Sequence, residues 1–170
     1  AGLRALLRAD PDIILIGESR DAETANAAVN AALTGHLVLT TLHANDSLRA
    51  VSRLTSMGVE KYLMADSLAL SQAQRLVSRL CGYCKRPVQA SQEIQEHMAR
   101  QGVIHQPLTT PIYTANGCDE CHGSGYSGRV ALMELCEMNT DLRDLIEDGA
   151  SMSALRAAAF KNGFHSLYQE

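Results

Sequence analysis

The fold class is indicated by the stretch DPDIILIGE at residues 10–18. Its centre holds four consecutive apolar residues, Ile13 to Ile16, between a proline and a glycine. Because polar and apolar side chains do not alternate, the run predicts a strand covered on both faces, as in a parallel sheet. Glu18 comes two residues after the strand, so we expect its carboxylate at the carboxyl edge of the sheet, where α/β proteins bind ligands. A strand followed by an acidic residue also arises by chance.

A second strand of the same kind is predicted at residues 37–42, LVLTTL. A helix predicted over residues 21–33 separates the two strands, and another helix follows. This order is typical of a doubly wound parallel sheet. His36 precedes the second strand and His43 follows it, so the His43 imidazole is expected beside the Glu18 carboxylate at the shared edge. The alternative is that each histidine is a helix-cap or strand-end residue satisfied by backbone groups.

Composition changes along the rest of the chain. Further helices are predicted over residues 61–69 and 71–80. The next segment carries both cysteine pairs, three of the four prolines and six of the twelve glycines, and a helix is predicted in it near residues 91–101. Helical periodicity returns from residue 140 to 164. The predicted division is a parallel-sheet core over residues 1–80, a small metal-binding module over 81–129 and a helical subdomain over 130–170.

Four of the five cysteines form two C-x-x-C pairs. Each pair lets two thiolates reach one ion, and two pairs close a tetrahedral Zn²⁺ site with no open position, which predicts a structural site rather than a catalytic one. A redox dithiol and incidental cysteines are the alternatives. Cys136 is predicted to be a small buried hydrophobe, and His122, next to the second pair, is predicted to face solvent. The predicted zinc ligands are Cys81, Cys84, Cys118 and Cys121.

Charge and hydropathy argue against several classes of protein. The net charge of −4 and the pI near 5.9 do not suit a protein that holds nucleic acid electrostatically. No apolar run approaches the roughly 20 residues of a membrane span, and the start does not resemble a signal peptide, which predicts a soluble, cytoplasmic protein. The chain opens in a helical pattern at residues 3–7 without an initiator methionine, so we expect a fragment of a longer polypeptide.

Several stretches resemble motifs of one family, the secretion and type IV pilus assembly ATPase superfamily. Residues 3–21 resemble its Walker B segment, and residues 34–45 resemble its histidine box. Residues 74–81 and 125–129 resemble segments of its zinc-bearing members. The resemblance covers nearly the whole chain, with the motifs in the expected order.

The resemblance implies a partial RecA-like parallel sheet with an inserted tetracysteine zinc module and a C-terminal helical subdomain. It also implies a homo-hexameric motor that uses ATP hydrolysis to drive assembly of a type II secretion pseudopilus or a type IV pilus. In that family Glu18 would be the Walker B glutamate acting on water and Mg²⁺, and His43 would approach the γ-phosphate. His36 would support the histidine box, and Arg20 and Asp21 match positioning residues.

The P-loop pattern G-x-x-x-x-G-K-[ST] is absent from these 170 residues. Phosphoryl transfer depends on the amides and lysine of that loop, so we expect the fragment to be inactive alone and its full-length parent to be the ATPase. In the family the tetracysteine module marks secretion and pilus-extension ATPases, whereas retraction ATPases typically lack it. The implied cofactors are ATP, Mg²⁺ and Zn²⁺. The implied partners are an inner-membrane platform and adaptor proteins, which would hold a cytoplasmic protein at the inner membrane without any nucleic acid.

Other classes share parts of this pattern. The segment from Cys118 to Gly125 fits the C-x-x-C-x-G-x-G repeat of zinc-binding J-domain co-chaperones, which need several repeats where this chain has one. A zinc-ribbon nucleic-acid module is a second alternative, disfavoured by the acidic balance. A conjugation, competence or pilus-retraction relative with the same core is a third.

Overall fold

A computed structural model of the chain describes residue 9 and residues 11–169. The helical pattern predicted at residues 3–7 therefore lies outside the described residues. The described strands are β1 (Ile13–Ile16), β2 (Leu37–Thr40), β3 (Leu70–Leu80), β4 (Arg86–Val88), β5 (Ile112–Thr114) and β6 (Tyr126–Glu137). The helices are α1 (Ala22–Leu33), α2 (Arg49–Ser56), α3 (Lys61–Ser67), α4 (Gln92–Arg100), α5 (Thr140–Glu147) and α6 (Met152–Lys161), with a 3₁₀ turn at Asp119–Cys121.

The first two strands form the predicted parallel pair. β1 and β2 lie side by side in parallel, in a register that places Ile13 opposite Leu37. Helix α1 connects them and begins at Asp21, whose Oδ1 accepts the Thr24 N–H at 2.8 Å. Gly35, with a φ of 100°, ends the helix and turns the chain into β2. The expected strand–helix–strand unit is therefore present.

The prediction that these strands are covered on both faces is wrong for the described residues. Ile14 is only 1% exposed, but Ile13 is 59% and Leu15 is 74% exposed. In β2, Leu37 and Leu39 are about as exposed, at 54% and 49%. The parallel register places these four exposed side chains on one face. An apolar run without alternation predicts that other residues pack on both faces of the strands. Among the described residues, nothing packs on the face that carries these four side chains.

The helix predicted over residues 71–80 is also wrong, because this segment is strand β3. β3 pairs with β6 in a two-stranded sheet. The Cys81 N–H donates to the Gly125 carbonyl, and the Met138 N–H donates to the Ala69 carbonyl, both at 2.9 Å. The apolar spacing in β3 fits a helix as well as a strand, and pairing with the 12-residue strand β6 outweighs the local preference.

The described residues fall into two compact units. Unit 1 comprises the residues up to Ala73 together with Glu134–Phe164, and unit 2 comprises Gln74–Met133 together with the residues from His165 on. The division into three parts at residues 80 and 129 stays a prediction.

The core of unit 1 forms where α3 packs against α1 and α5. Cys136 belongs to this core and is 2% exposed, which confirms that it is a buried hydrophobe. Burial, with a smaller contribution from the Glu134 carboxylate, raises the pKa of its thiol to about 11. The main buried side chains are Leu48, Val51, Leu54, Met64, Cys136, Leu142, Ile146 and Leu155.

Unit 2 is held by few apolar contacts. β4 and β5 pair antiparallel, with Arg86 opposite Thr114. The helix predicted near residues 91–101 is confirmed as α4, which Ser91 caps by accepting the Ile94 N–H at 3.3 Å. None of the α4 residues is buried. Across both units, none of the helices in the described part of the chain combines the length and apolar character needed to cross a membrane.

Candidate functional site

The chain segments that follow β1 and β2 continue side by side beyond the strands. The Ser19 N–H donates to the Thr41 carbonyl at 3.0 Å, and the Thr41 Oγ1 donates to the Gly17 carbonyl at 2.6 Å. The hydroxyls of Ser19 and Thr40 lie 3.0 Å apart, and Ser19 is only 2% exposed. These bonds extend the parallel pairing to the edge where Glu18 and His43 lie.

At this edge the Glu18 carboxylate contacts two cationic or potentially cationic groups. Its Oε1 forms an ion-pair contact with Nε2 of His43. Its Oε2 lies 2.6 Å from both Nε and Nη2 of Arg20. The Glu18 side chain is 21% exposed, whereas those of His43 and Arg20 are 79% and 74% exposed. The structure therefore brings together the acid and the imidazole that the sequence placed at one edge.

The electrostatic surroundings keep Glu18 ionised. The hydrogen bond from Arg20 holds the pKa of the Glu18 carboxyl below its ordinary value, and burial opposes this only in part. Its Oε1 atom is buried and, among the described residues, no donor reaches it with hydrogen-bond geometry. An ionised carboxylate beside an imidazole suits a group that acts on a water molecule or a hard cation.

Two other predicted residues lie elsewhere. His36 lies at the start of β2, where its Nδ1 is 3.0 Å from the Ala31 carbonyl and 3.2 Å from the Thr34 hydroxyl. The structure therefore does not bring His36 to Glu18, and its place near a phosphate stays a prediction. Asp21 caps α1, and its hydrogen bonds with Thr24 lower its pKa.

The four predicted zinc ligands meet in unit 2. All four Sγ atoms lie within 4.8 Å of one another. The Sγ–Sγ distances are 3.9 Å for Cys81 and Cys118, 3.8 Å for Cys84 and Cys121, and 3.7 Å for Cys118 and Cys121. Four sulfurs bound tetrahedrally at about 2.3 Å from Zn²⁺ lie about 3.8 Å apart. The spacing of the thiols therefore fits one zinc ion, with no further ligand needed.

Two backbone N–H groups donate to one thiol of this cluster. The N–H groups of Cys118 and Gly125 each donate to the Cys121 sulfur at 3.2 Å. Burial raises the pKa of the Cys121 thiol, but these bonds and the neighbouring thiols outweigh it and lower the pKa to about 6. A Cβ at Gly125 would lie 2.6 Å from the Ala115 Cβ, so only glycine allows this close approach. His122 is exposed, as predicted, and is not part of the cluster.

Sequence reasoning missed one buried acidic residue. Glu134 in β6 is 3% exposed, and its Oε1 accepts hydrogen bonds from both the backbone N–H and the hydroxyl of Ser47. Ser47 comes four residues after His43 in the chain. Its position could have indicated burial, because Glu134 lies inside the apolar run VALMELC at residues 130–136.

Comparison with known proteins gives consistent matches. The family model described as type II/IV secretion system protein matches residues 1–170. The type IV pilus assembly ATPase PilB of Myxococcus xanthus is 47% identical over 168 residues, which cover 98% of this chain and 29% of that protein. The type II secretion system protein E of Pseudomonas aeruginosa is 44% identical over 163 residues, which cover 95% of this chain and 32% of that protein.

A solved structure supports the same fold. The crystal structure of the pilus retraction motor PilT with bound ADP has a TM-score of 0.57 and 25% identity, covering 99% of this chain and 41% of that one. This likeness, the parallel strand pair and the four-cysteine cluster confirm the predicted fold class, a partial RecA-like sheet with a tetracysteine module. The chain spans about a third of the length of the curated relatives it matches. With the family model matching its full length, the chain belongs to the type II/IV secretion system protein family.

Proposed function

We propose that this chain is part of a motor ATPase that drives type II secretion or type IV pilus assembly, and that Glu18 is its catalytic carboxylate. The single observation that carries the proposal is the meeting of Glu18 Oε1 and His43 Nε2 at the carboxyl edge of two parallel strands. The family membership and the ATPase named among the relatives agree with this chemistry. The edge is also where ligands bind in open α/β sheets.

Each residue at the edge has a distinct role in this proposal. Arg20 keeps Glu18 ionised and fixes one carboxylate oxygen. The other oxygen, Oε1, contacts Nε2 of His43, so the acid and the imidazole together would orient the attacking water or a water of the metal ion. His43, being largely exposed, contacts the γ-phosphate of ATP.

Magnesium fits the donor set at this edge. A hard divalent cation prefers carboxylate and water oxygens, and Glu18 offers an ionised carboxylate at this edge. When bound, Mg²⁺ would neutralise the negative charge that develops on the phosphates. Since these 170 residues contain no P-loop pattern, we propose that turnover requires residues of a longer protein and that this chain alone does not hydrolyse ATP.

Zinc also fits, in the four-cysteine cluster. Cys81, Cys84, Cys118 and Cys121 would fill all four tetrahedral positions, so the ion would stabilise unit 2 and would have no site for water. We favour a secretion or pilus-extension motor over a retraction motor. The support for this choice is the 44–47% identity to a type II secretion protein and a pilus assembly ATPase, against 25% to the retraction motor.

The assembled motor would be a homo-hexamer in the cytoplasm, held at the inner membrane by platform and adaptor proteins. The net charge of −4 supports protein partners rather than nucleic acid.

The test is the substitution Glu18→Gln in the full-length parent protein. Removing the carboxylate charge is expected to lower kcat for ATP hydrolysis by about 10²–10⁴-fold, the usual contribution of a general base, with nucleotide affinity retained. Glu23→Gln is the matched control, because Glu23 is an exposed acid in the first turn of α1. Hydrolysis by Glu18→Gln at the rate of the Glu23→Gln control would remove Glu18 from the chemistry.

A further inference from the structure

Unit 1 buries a carboxylate that the proposed mechanism does not use. Glu134 is 3% exposed, whereas its neighbours in β6, Met133 and Leu135, are 44% and 54% exposed. Strand alternation therefore points Glu134 inward together with Cys136. Burying an acid is costly unless strong hydrogen bonds compensate, so its contacts identify what it stabilises.

Those contacts fix the end of a loop. The Glu134 Oε1 accepts the Ser47 N–H at 2.5 Å and the Ser47 hydroxyl at 2.8 Å. The Ser47 carbonyl in turn accepts the Ser71 hydroxyl at 2.8 Å. All three residues are at most 8% exposed. Hydrogen bonds to a buried carboxylate are among the stronger ones in proteins, so Ser47 is firmly held.

The loop held in this way carries His43. It runs from Thr41, which donates to the Gly17 carbonyl, to Ser47, which binds Glu134. Between these anchors the His43 side chain is 79% exposed, and its contact is with Glu18. The Asp46 carboxylate, which Arg49 and Arg156 bind, also holds the loop, and Glu134 fixes its end at Ser47.

We propose that Glu134 is a positioning residue that, through Ser47, holds the His43 loop in the geometry that places the imidazole beside Glu18. This inference rests on the proposed function of His43 and adds a residue to it. Glu134 touches neither nucleotide nor water in this scheme, so we expect its loss to act on turnover through the loop.

A double-mutant cycle in the full-length parent protein tests the inference. Glu134→Met keeps the length of the side chain but removes the acceptor, and it is expected to lower kcat by about 10–100-fold, as small misplacements of catalytic groups do, with little change in KM. Glu134→Gln keeps an acceptor oxygen and is expected to lose less. Glu137→Met is the matched control, because Glu137 is an exposed glutamate on the same strand.

The double variant of this cycle, Glu134→Met with His43→Ala, gives the decisive measurement. If Glu134 acts through His43, the double variant turns over at the rate of His43→Ala alone. A further loss equal to the full effect of Glu134→Met would show an independent role and overturn the inference. Should Glu134→Met fail to fold, Glu134→Gln and Ser47→Ala carry the same cycle.

A separate measurement distinguishes failure of this inference from failure of the proposed function. Unchanged turnover in His43→Ala would remove His43 from the chemistry, whatever Glu134 does. Amide hydrogen exchange over residues 42–47 then decides the positioning role. Faster exchange in Glu134→Met than in Glu137→Met supports it, and equal exchange overturns it.

Discussion

The Glu18–His43 edge and the four-cysteine cluster differ in how much of each site this chain supplies. The cluster has all four ligands within unit 2, and three of the four cysteines are buried. The edge presents an acid, an imidazole and an arginine, but the apolar face of its two strands is exposed. The cluster brings together a full set of four thiol ligands, whereas at the edge the described residues leave one face of the strands uncovered. The following predictions test this contrast.

The largest expected effect is loss of the metal from unit 2. Replacing Cys81 and Cys84 together by Ser should release zinc and abolish the cooperative unfolding of unit 2. Structural zinc contributes roughly 10–16 kcal/mol in small metal-bound folds, and unit 2 has few apolar contacts to replace it. Metal analysis and limited proteolysis measure the outcome.

The control for this experiment is the fifth cysteine. Cys136→Ala removes a buried thiol outside the cluster and should leave one equivalent of zinc bound. One equivalent of zinc in the Cys81→Ser, Cys84→Ser variant as well would contradict the ligand assignment.

The next effect concerns the uncovered face of the parallel strands. In this chain Ile14→Ala should cost about 2–4 kcal/mol of unfolding free energy, because the side chain is buried. Leu15→Ala, one residue later, should change it by no more than about 0.5 kcal/mol, because that side chain is exposed. Chemical denaturation of each variant gives the two values.

The same two variants, made in the full-length parent, test whether residues outside this chain bury the exposed face of the strands. If residues outside this chain cover the sheet, Leu15→Ala should there cost about as much as Ile14→Ala. A Leu15→Ala variant that is neutral in both proteins would mean that the face stays open and that the unalternating sequence has another cause.

The sequence predicted which ligand residues come together better than it predicted which side chains are buried by distant segments. The C-x-x-C spacing was sufficient to predict that Cys81, Cys84, Cys118 and Cys121 meet, because few arrangements of two such pairs satisfy tetrahedral zinc ligation. The order of β1, α1 and β2 followed from periodicity and a glycine stop. The exposed Leu15 and the strand at residues 70–80 were missed, because both depend on which distant segment packs there. Glu134 was missed for the same reason, since its partner Ser47 lies 87 residues away.

The smallest effect is the titration of the edge itself. Because Arg20 lowers the pKa of Glu18 in the folded state, the carboxylate favours the folded state above its ordinary pKa of 4.5. This contribution is lost as the pH falls through the lowered value. The Arg20 side chain is largely exposed to solvent, so the effect of the pair on stability should be slight. The titration midpoint, followed by NMR of the Glu18 carboxyl carbon, should therefore lie below the ordinary value. Arg20→Gln should raise that midpoint, whereas Arg49→Gln, which breaks a different ion pair with Asp46, should leave it in place. An unchanged midpoint in Arg20→Gln would mean that the arginine does not set the charge of the proposed catalytic carboxylate.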